Sequence, residues 1–133
     1  MAQGPAKHIL IIEDDDTVSE FLEILLTREG FQVTVVDNAT SALNHLKENV
    51  SQKVDLIISD LMMPRMGGYD FVKEMQQPGY QNVPICILTS KEMDMGTVEM
   101  IRMESNVCEF LRKPIDPGHF RETVHRLLNI PRQ

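Results

Sequence analysis

The sequence predicts an α/β fold, a doubly wound five-stranded parallel sheet with helices packed on both faces. Three observations predict it. Short apolar, β-rich runs alternate along the chain with segments of helical period. The runs are apolar at nearly every position rather than at every second one, as strands covered on both faces must be. Each of the five runs is followed by a helical segment, the arrangement that joins parallel strands through crossovers.

The first strand is "HILII" (8–12), which leads straight into Glu13, Asp14, Asp15 and Asp16. The first helix follows, with Val18, Phe21, Leu22, Leu25 and Leu26 on one face. "TVSE" (17–20) reads as a capping box at its start, and Gly30 as its C-terminal stop. "FQVTVV" (31–36) is the second strand, and "ATSALNHLKEN" the second helix, with Ala42, Leu43 and Leu46 on one side. "VDLIIS" (54–59) is the third strand. The third helix begins near Gly68 and carries Tyr69, Phe71, Val72 and Met75. "VPICIL" (83–88) is the fourth strand. The fourth helix has the least regular pattern. It lies in a Met-rich stretch from Met93 to Met103 and ends near Ser105, with Asn106 as its left-handed cap. "VCEFL" (107–111) is the fifth strand. The fifth helix opens with Asp116 as N-cap and Pro117 at its first position, and its stripe is Phe120, Val124, Leu127 and Leu128. Right-handed crossovers from a first strand in mid-sheet correspond to the flavodoxin-like strand order 2-1-3-4-5.

A chain of 133 residues suits one domain with one good core, here about 7–129. A net charge of −7 argues against a nucleic-acid surface, which needs a basic stripe, and favours a cation site or a basic partner. No apolar stretch approaches the roughly 18 residues of a membrane span. The N-terminal "MAQGPAKH" lacks the apolar centre of a signal peptide. Cys86 and Cys108 sit in apolar runs and read as free, buried thiols of a reducing cytosol, so the expected location is cytoplasmic. The histidines at 8, 45, 119 and 125 show no zinc spacing.

Doubly wound sheets bind ligands beyond the carboxyl ends of their strands. Past strand one stand Glu13 and Asp14; past strand three, Asp60; past strand four, Thr89 and Ser90; past strand five, Lys113 and Pro114. Taken singly, each has a plainer reading, because acids after strands cap helices and strand-end threonines are common. The conjunction is what marks a site. Clustered carboxylates repel and raise one another's pKa, and a bound Mg²⁺ removes that penalty. A lysine supplies a point charge for a phosphate oxygen and a hydroxyl a hydrogen bond. A carboxylate can itself act as nucleophile and form an aspartyl phosphate.

"DLMMPRMGG" (60–68) resembles the phosphoacceptor loop of response-regulator receiver domains, whose pattern is D-x-x-M-P-x-M-x-G. The acids after strand one, "ILTS" (87–90) and "FLRKPI" (110–115) resemble the other family signatures, in the same order. The resemblance covers essentially the whole chain, and residues 1–133 read as a single receiver domain with no output domain. It implies that Asp60 takes a phosphoryl group from a phosphohistidine of a sensor histidine kinase or a histidine phosphotransfer protein. It implies that Glu13, Asp14, Asp60 and the backbone carbonyl of Met62 hold Mg²⁺, with Mn²⁺ as an alternative, Glu13 acting through water. Thr89 and Lys113 would contact the phosphoryl group, and Lys113–Pro114 would be a cis bond. Thr89 and Phe110 would form the switch that changes the affinity of the helix 4, strand 5 and helix 5 surface for a downstream protein target.

The chain departs from the family in places. From Thr89 to Lys113 it is about two residues longer than the pattern, with the excess assigned to "SKEMDMGT", and Asn106 and Val107 stand where Gly and Ala are favoured. Phe110 lacks the hydroxyl a tyrosine would bring. Met62 and Lys91 fall where family members tune the lifetime of the phosphorylated state. Met62 offers no group to orient an attacking water, so slow self-dephosphorylation is expected. By this reading the protein is no enzyme beyond catalysing its own phosphorylation and dephosphorylation, and it contacts neither nucleic acid nor membrane directly. Three other functions compete. An Asp-nucleophile phosphatase would want a second acid at position 62, which is Met. A flavin or nucleotide binder would want a Gly-rich turn after strand one, where the four acids stand instead. A module with the same fold that is never phosphorylated would not need so complete a site.

Overall fold

Each of the five apolar runs forms a strand, and each helical segment a helix. The structure is a computed structural model that describes residues 6–48, 53–61, 68–90 and 95–129. In chain order the elements are β1 (His8–Ile12), α1 (Asp16–Arg28), β2 (Gln32–Val36), α2 (Ala39–Glu48), β3 (Leu56–Asp60), α3 (Gly68–Glu74), β4 (Ile85–Thr89), α4 (Met95–Arg102), β5 (Val107–Arg112) and α5 (Pro117–Leu127). The strands form one parallel sheet in the order β2-β1-β3-β4-β5, as the sequence predicts.

The sheet divides the core in two because neighbouring side chains leave a strand on opposite faces. Leu10, Ile12, Ile57, Ile85 and Ile87 pack under α2, α3 and α4 with Leu43, Phe71, Met75 and Ile101. Ile9, Ile11, Ile58, Cys86 and Leu88 pack under α1 and α5 with Leu22, Leu26, Phe120 and Val124. All five residues of β1 and of β3 are buried. That is the burial expected of central parallel strands, and it explains their unbroken apolar runs. The β3 ladder begins later than its apolar run and reaches Asp60. Pro84 has no N–H to donate, so β4 starts at Ile85.

Several expectations need correction. The N-cap of α1 is Asp15, not Thr17. Asp15 is extended, and its Oδ1 accepts from the Thr17 and Val18 amides at 2.9 and 3.2 Å. A carboxylate there meets both the free amides and the positive end of the helix dipole, so the helix starts before the expected capping box. Phe21 belongs to the predicted buried face but is 39% exposed, beside Ile24 at 49%, whereas Ser19 is buried. The apolar stripe of α1 is wider than the groove it covers. Asn106 is not a left-handed cap, since the one non-glycine residue of positive φ among those described is Asn129. Its amide is instead buried between α3 and β5. Cys108 is exposed rather than buried, because β5 carries a bulge there: Ile85 pairs with Val107 but Cys86 with Glu109. Cys86 is buried as expected, and burial pushes its thiol up to about 12. The remaining punctuation holds. Gly30 has φ +90 where α1 ends, Asp116 caps α5 with Pro117 behind it, and Lys113–Pro114 is cis.

Candidate functional site

The register of the sheet brings the sequence-predicted groups to one edge. Ile12 pairs with Ser59, so the next residues, Glu13 and Asp60, lie side by side. The Glu13 amide donates to Val36 O at 3.0 Å, extending the β1–β2 ladder by one step. On the other flank Asp60 pairs with Leu88, which places Thr89 one residue beyond it. Thr89 pairs with Arg112, and the Lys113 amide donates to Thr89 O at 2.8 Å. Lys113 therefore leaves β5 at the level where the acids end β1 and β3.

The side chains close the group. One oxygen from each of Glu13, Asp14 and Asp60 lies within 4.8 Å of the other two. Glu13 and Asp60 are buried, and Asp14 is exposed. The Lys113 ammonium sits 2.8 Å from Glu13 Oε1 and 3.5 Å from Asp60 Oδ2. Glu13 Oε2 accepts the Asp15 amide at 3.1 Å. Asp15 and Asp16, exposed, belong to the helix start.

The electrostatics follow from burial. Loss of solvent pushes the Glu13 carboxyl above its ordinary value, and the Lys113 ammonium and the Asp15 amide only partly offset this; the Asp60 charge pushes the same way as burial. Burial alone would lower the Lys113 pKa, but hydrogen bonding to Glu13 and the charge of Asp60 outweigh it and hold the ammonium above its ordinary value. Glu13 Oε1 is held by the ammonium at charge-assisted hydrogen-bond distance, 2.8 Å. Clustered hard oxygen donors, one of them on a residue open to solvent, fit a hard divalent cation such as Mg²⁺.

Thr89 is half-buried, with Oγ1 3.5 Å from Leu111 O, at the limit of a hydrogen bond. Phe110 pairs with Ile87 and packs, half-buried, on the core under α2, α3 and α4. Met62 and Lys91 lie outside the described residues, as does half of the stretch 90–97 to which the extra length was assigned. The bulge at Cys108 nevertheless places one unpaired residue inside β5. Sequence reasoning missed two features. Arg102 lies over the Phe110 ring with Cζ 4.5 Å from its centroid. Gln76 and Asn106 join α3 to the start of β5, with Gln76 Nε2 donating to Asn106 Oδ1 at 2.6 Å. Neither carries a sequence signal: a basic residue in the last turn of a helix is ordinary, and the amides are thirty residues apart.

A doubly wound sheet with three acids and a lysine at its carboxyl edge is the architecture of a receiver. The sequence model of the response regulator receiver domain matches residues 9–125, and the chain belongs to that family. It is 32% identical to the alkaline phosphatase synthesis transcriptional regulatory protein SphR of Synechococcus elongatus, over 94% of this chain and 49% of that protein. It is 29% identical to the response regulator SaeR of Staphylococcus aureus, over 92% of this chain and 50% of that protein. The chain thus spans about half the length of these curated relatives. Among solved structures, the signal receiver domain of a histidine kinase from Syntrophus aciditrophicus aligns with TM-score 0.82 and 33% identity, covering 93% of this chain and 91% of that one. A response regulator structure from Chloroflexus aurantiacus aligns with TM-score 0.81 and 29% identity, covering 93% and 98%. The chain is a receiver domain of two-component systems, whose members are signalling domains rather than enzymes in the ordinary sense. The family implies partners such as histidine kinases and generally binds Mg²⁺ at an acidic pocket. No helix among the described residues is long and apolar enough to cross a membrane.

Proposed function

We propose that Asp60 accepts a phosphoryl group from a phosphohistidine of a sensor histidine kinase or a histidine phosphotransfer protein. The observation that carries this reading is the meeting of Glu13, Asp14 and Asp60 within 4.8 Å, with Lys113 bridging the two buried acids. In the transfer the donor's P–N bond breaks and a P–O bond to an Asp60 oxygen forms. The imidazole leaves and recovers a proton. Phosphoryl transfer of this kind needs positioning and charge neutralisation more than covalent help.

Glu13, Asp14, Asp60 and the Met62 carbonyl would hold Mg²⁺, or Mn²⁺ in its place, which when bound supplies positive charge against the phosphoryl oxygens. Lys113 is already charged and held at the site by Glu13, so it is placed to pair with a phosphoryl oxygen once that group arrives. Thr89 Oγ1, weakly tied to Leu111 O, is free to turn towards it. Phe110 then follows Thr89 and alters the α4, β5 and α5 surface for a downstream protein target. Met62 and Lys91 tune the lifetime, and Met62 makes it long. Loss of phosphate within seconds would contradict that last point. The acidic receiver domain acts in the cytoplasm, contacts no nucleic acid itself and has no catalysis beyond its own phosphorylation and dephosphorylation.

Incubation with a small phosphodonor and Mg²⁺, followed by intact mass, tests the reading. The expected result is the gain of one phosphoryl group, absent without Mg²⁺ and absent in Asp60→Asn. An unmodified protein under saturating donor would replace this reading with a fold that binds partners without being phosphorylated.

A further inference from the structure

The ring at position 110 is held from outside as well as from beneath. Arg102 is the last residue of α4, and its guanidinium lies over the Phe110 ring at 4.5 Å. Arg102 Nε is 3.5 Å from Glu99 Oε1, one turn back on the same helix, which steers the side chain. The backbone beyond Arg102 is fastened to α3. Lys73 Nζ lies 3.2 Å from Glu104 Oε1. Gln76 Nε2 donates to Asn106 Oδ1 at 2.6 Å, and Asn106 Nδ2 donates to Met75 O at 3.4 Å. Asn106 is 5% exposed, so this tie is shielded from water. A ring that turns inward at position 110 must leave the guanidinium behind, because the end of α4 is not free to follow it.

We propose that Arg102 is a positioning residue of the switch: its guanidinium holds Phe110 in its half-buried orientation and so biases the domain towards its unphosphorylated state. The inference rests on the reading of Phe110 as the switch aromatic. A planar guanidinium stacks on an aromatic face as an ammonium does not, and at a half-exposed site the contact shifts a two-state equilibrium by about two- to fivefold. That is enough to set how readily the unmodified protein samples its active form. It is too little to block the switch once phosphorylation supplies a larger bias.

The test uses the whole chain with 4-fluorophenylalanine in place of phenylalanine, the Phe110 signal being assigned by its loss in Phe110→Leu. Fluorine NMR of the unmodified and fully phosphorylated wild type, the latter confirmed by mass, gives the two end positions. Without donor, Arg102→Met keeps the aliphatic packing, removes the cation, and is expected to raise the inward-to-outward ratio about two- to fivefold. Arg102→Lys should restore part of the difference. A Phe110 signal in Arg102→Met that coincides with wild type would overturn the proposal. A wild-type signal that stays put while the mass shows full phosphorylation would remove Phe110 as the switch, and the Arg102 proposal with it. A mass that never increases would remove the phosphoacceptor reading itself, and with it the proposal.

Discussion

Four consecutive acids, Glu13 to Asp16, do different work within four residues. Glu13 is buried against Lys113, Asp14 is exposed beside Asp60, and Asp15 caps α1. Removing the Asp14 carboxylate should therefore abolish binding of Mg²⁺ and phosphorylation. It should leave the metal-free protein at least as stable, since it relieves repulsion. In thermal denaturation Mg²⁺ should raise the midpoint of wild type and not of Asp14→Ala. Asp15→Ala should do the reverse: it should cost about 0.5–2 kcal/mol through the lost cap and leave Mg²⁺ affinity intact. A matching affinity loss in Asp15→Ala would contradict this division. His8 makes a separate prediction. It is buried, with Nε2 2.8 Å from Thr34 Oγ1. Burial foremost, and then His45, lower its pKa below 6.5, while a hydrogen bond to the Lys53 backbone and the charge of Asp55 work the other way. Below pH 6.5 the unfolded chain takes up a proton that the folded chain resists, so the His8 contribution is full above 6.5 and is lost as pH falls. Urea denaturation at pH 7.5 and 5.5 should show a larger acid loss for wild type than for His8→Gln. Equal losses would show that His8 is not responsible.

At the scale of elements, the sequence is most readable where periodicity and burial agree. Central β1 and β3 read correctly because both faces are covered. The first turn of α1 reads less well, because acids that serve a site and acids that cap a helix look alike in sequence. The face of α1 misleads for a different reason: Phe21 has the right spacing but lies at the edge of the buried stripe and stays 39% exposed. Leu22→Ala should then cost about 2–5 kcal/mol in urea denaturation and Phe21→Ala under about 1 kcal/mol. Comparable losses would place Phe21 in the core after all. Asn106 is the other lesson. The residue type fits a left-handed cap, but a partner thirty residues away claims its amide. Asn106→Ala removes one acceptor of Gln76 and the donor to Met75 O, and should cost about 1–3 kcal/mol by the same measurement. A neutral result would show that water replaces the lost partner.

For the molecule as a whole, the sheet separates two cores from one chemical edge. The apolar faces hold the strands in register, and that register alone brings residues 13, 60, 89 and 113 together. The conjunction of groups after four strands was legible because parallel strands all end on the same side. The motif resemblance then supplied the roles. What was not legible was contact between elements: the guanidinium over Phe110 and the amide tie from α3 depend on how α4 sits on the sheet. The central claim is that this edge exists to phosphorylate Asp60. Borohydride reduces an acyl phosphate to an alcohol, so reductive trapping after phosphorylation, followed by peptide mapping, locates the modified carboxyl directly. The account predicts homoserine at position 60 alone, with Glu13 and Asp14 unchanged and no product in the absence of Mg²⁺. Trapping at Glu13 or Asp14, or no trapped residue in protein that has gained phosphoryl mass, would contradict it.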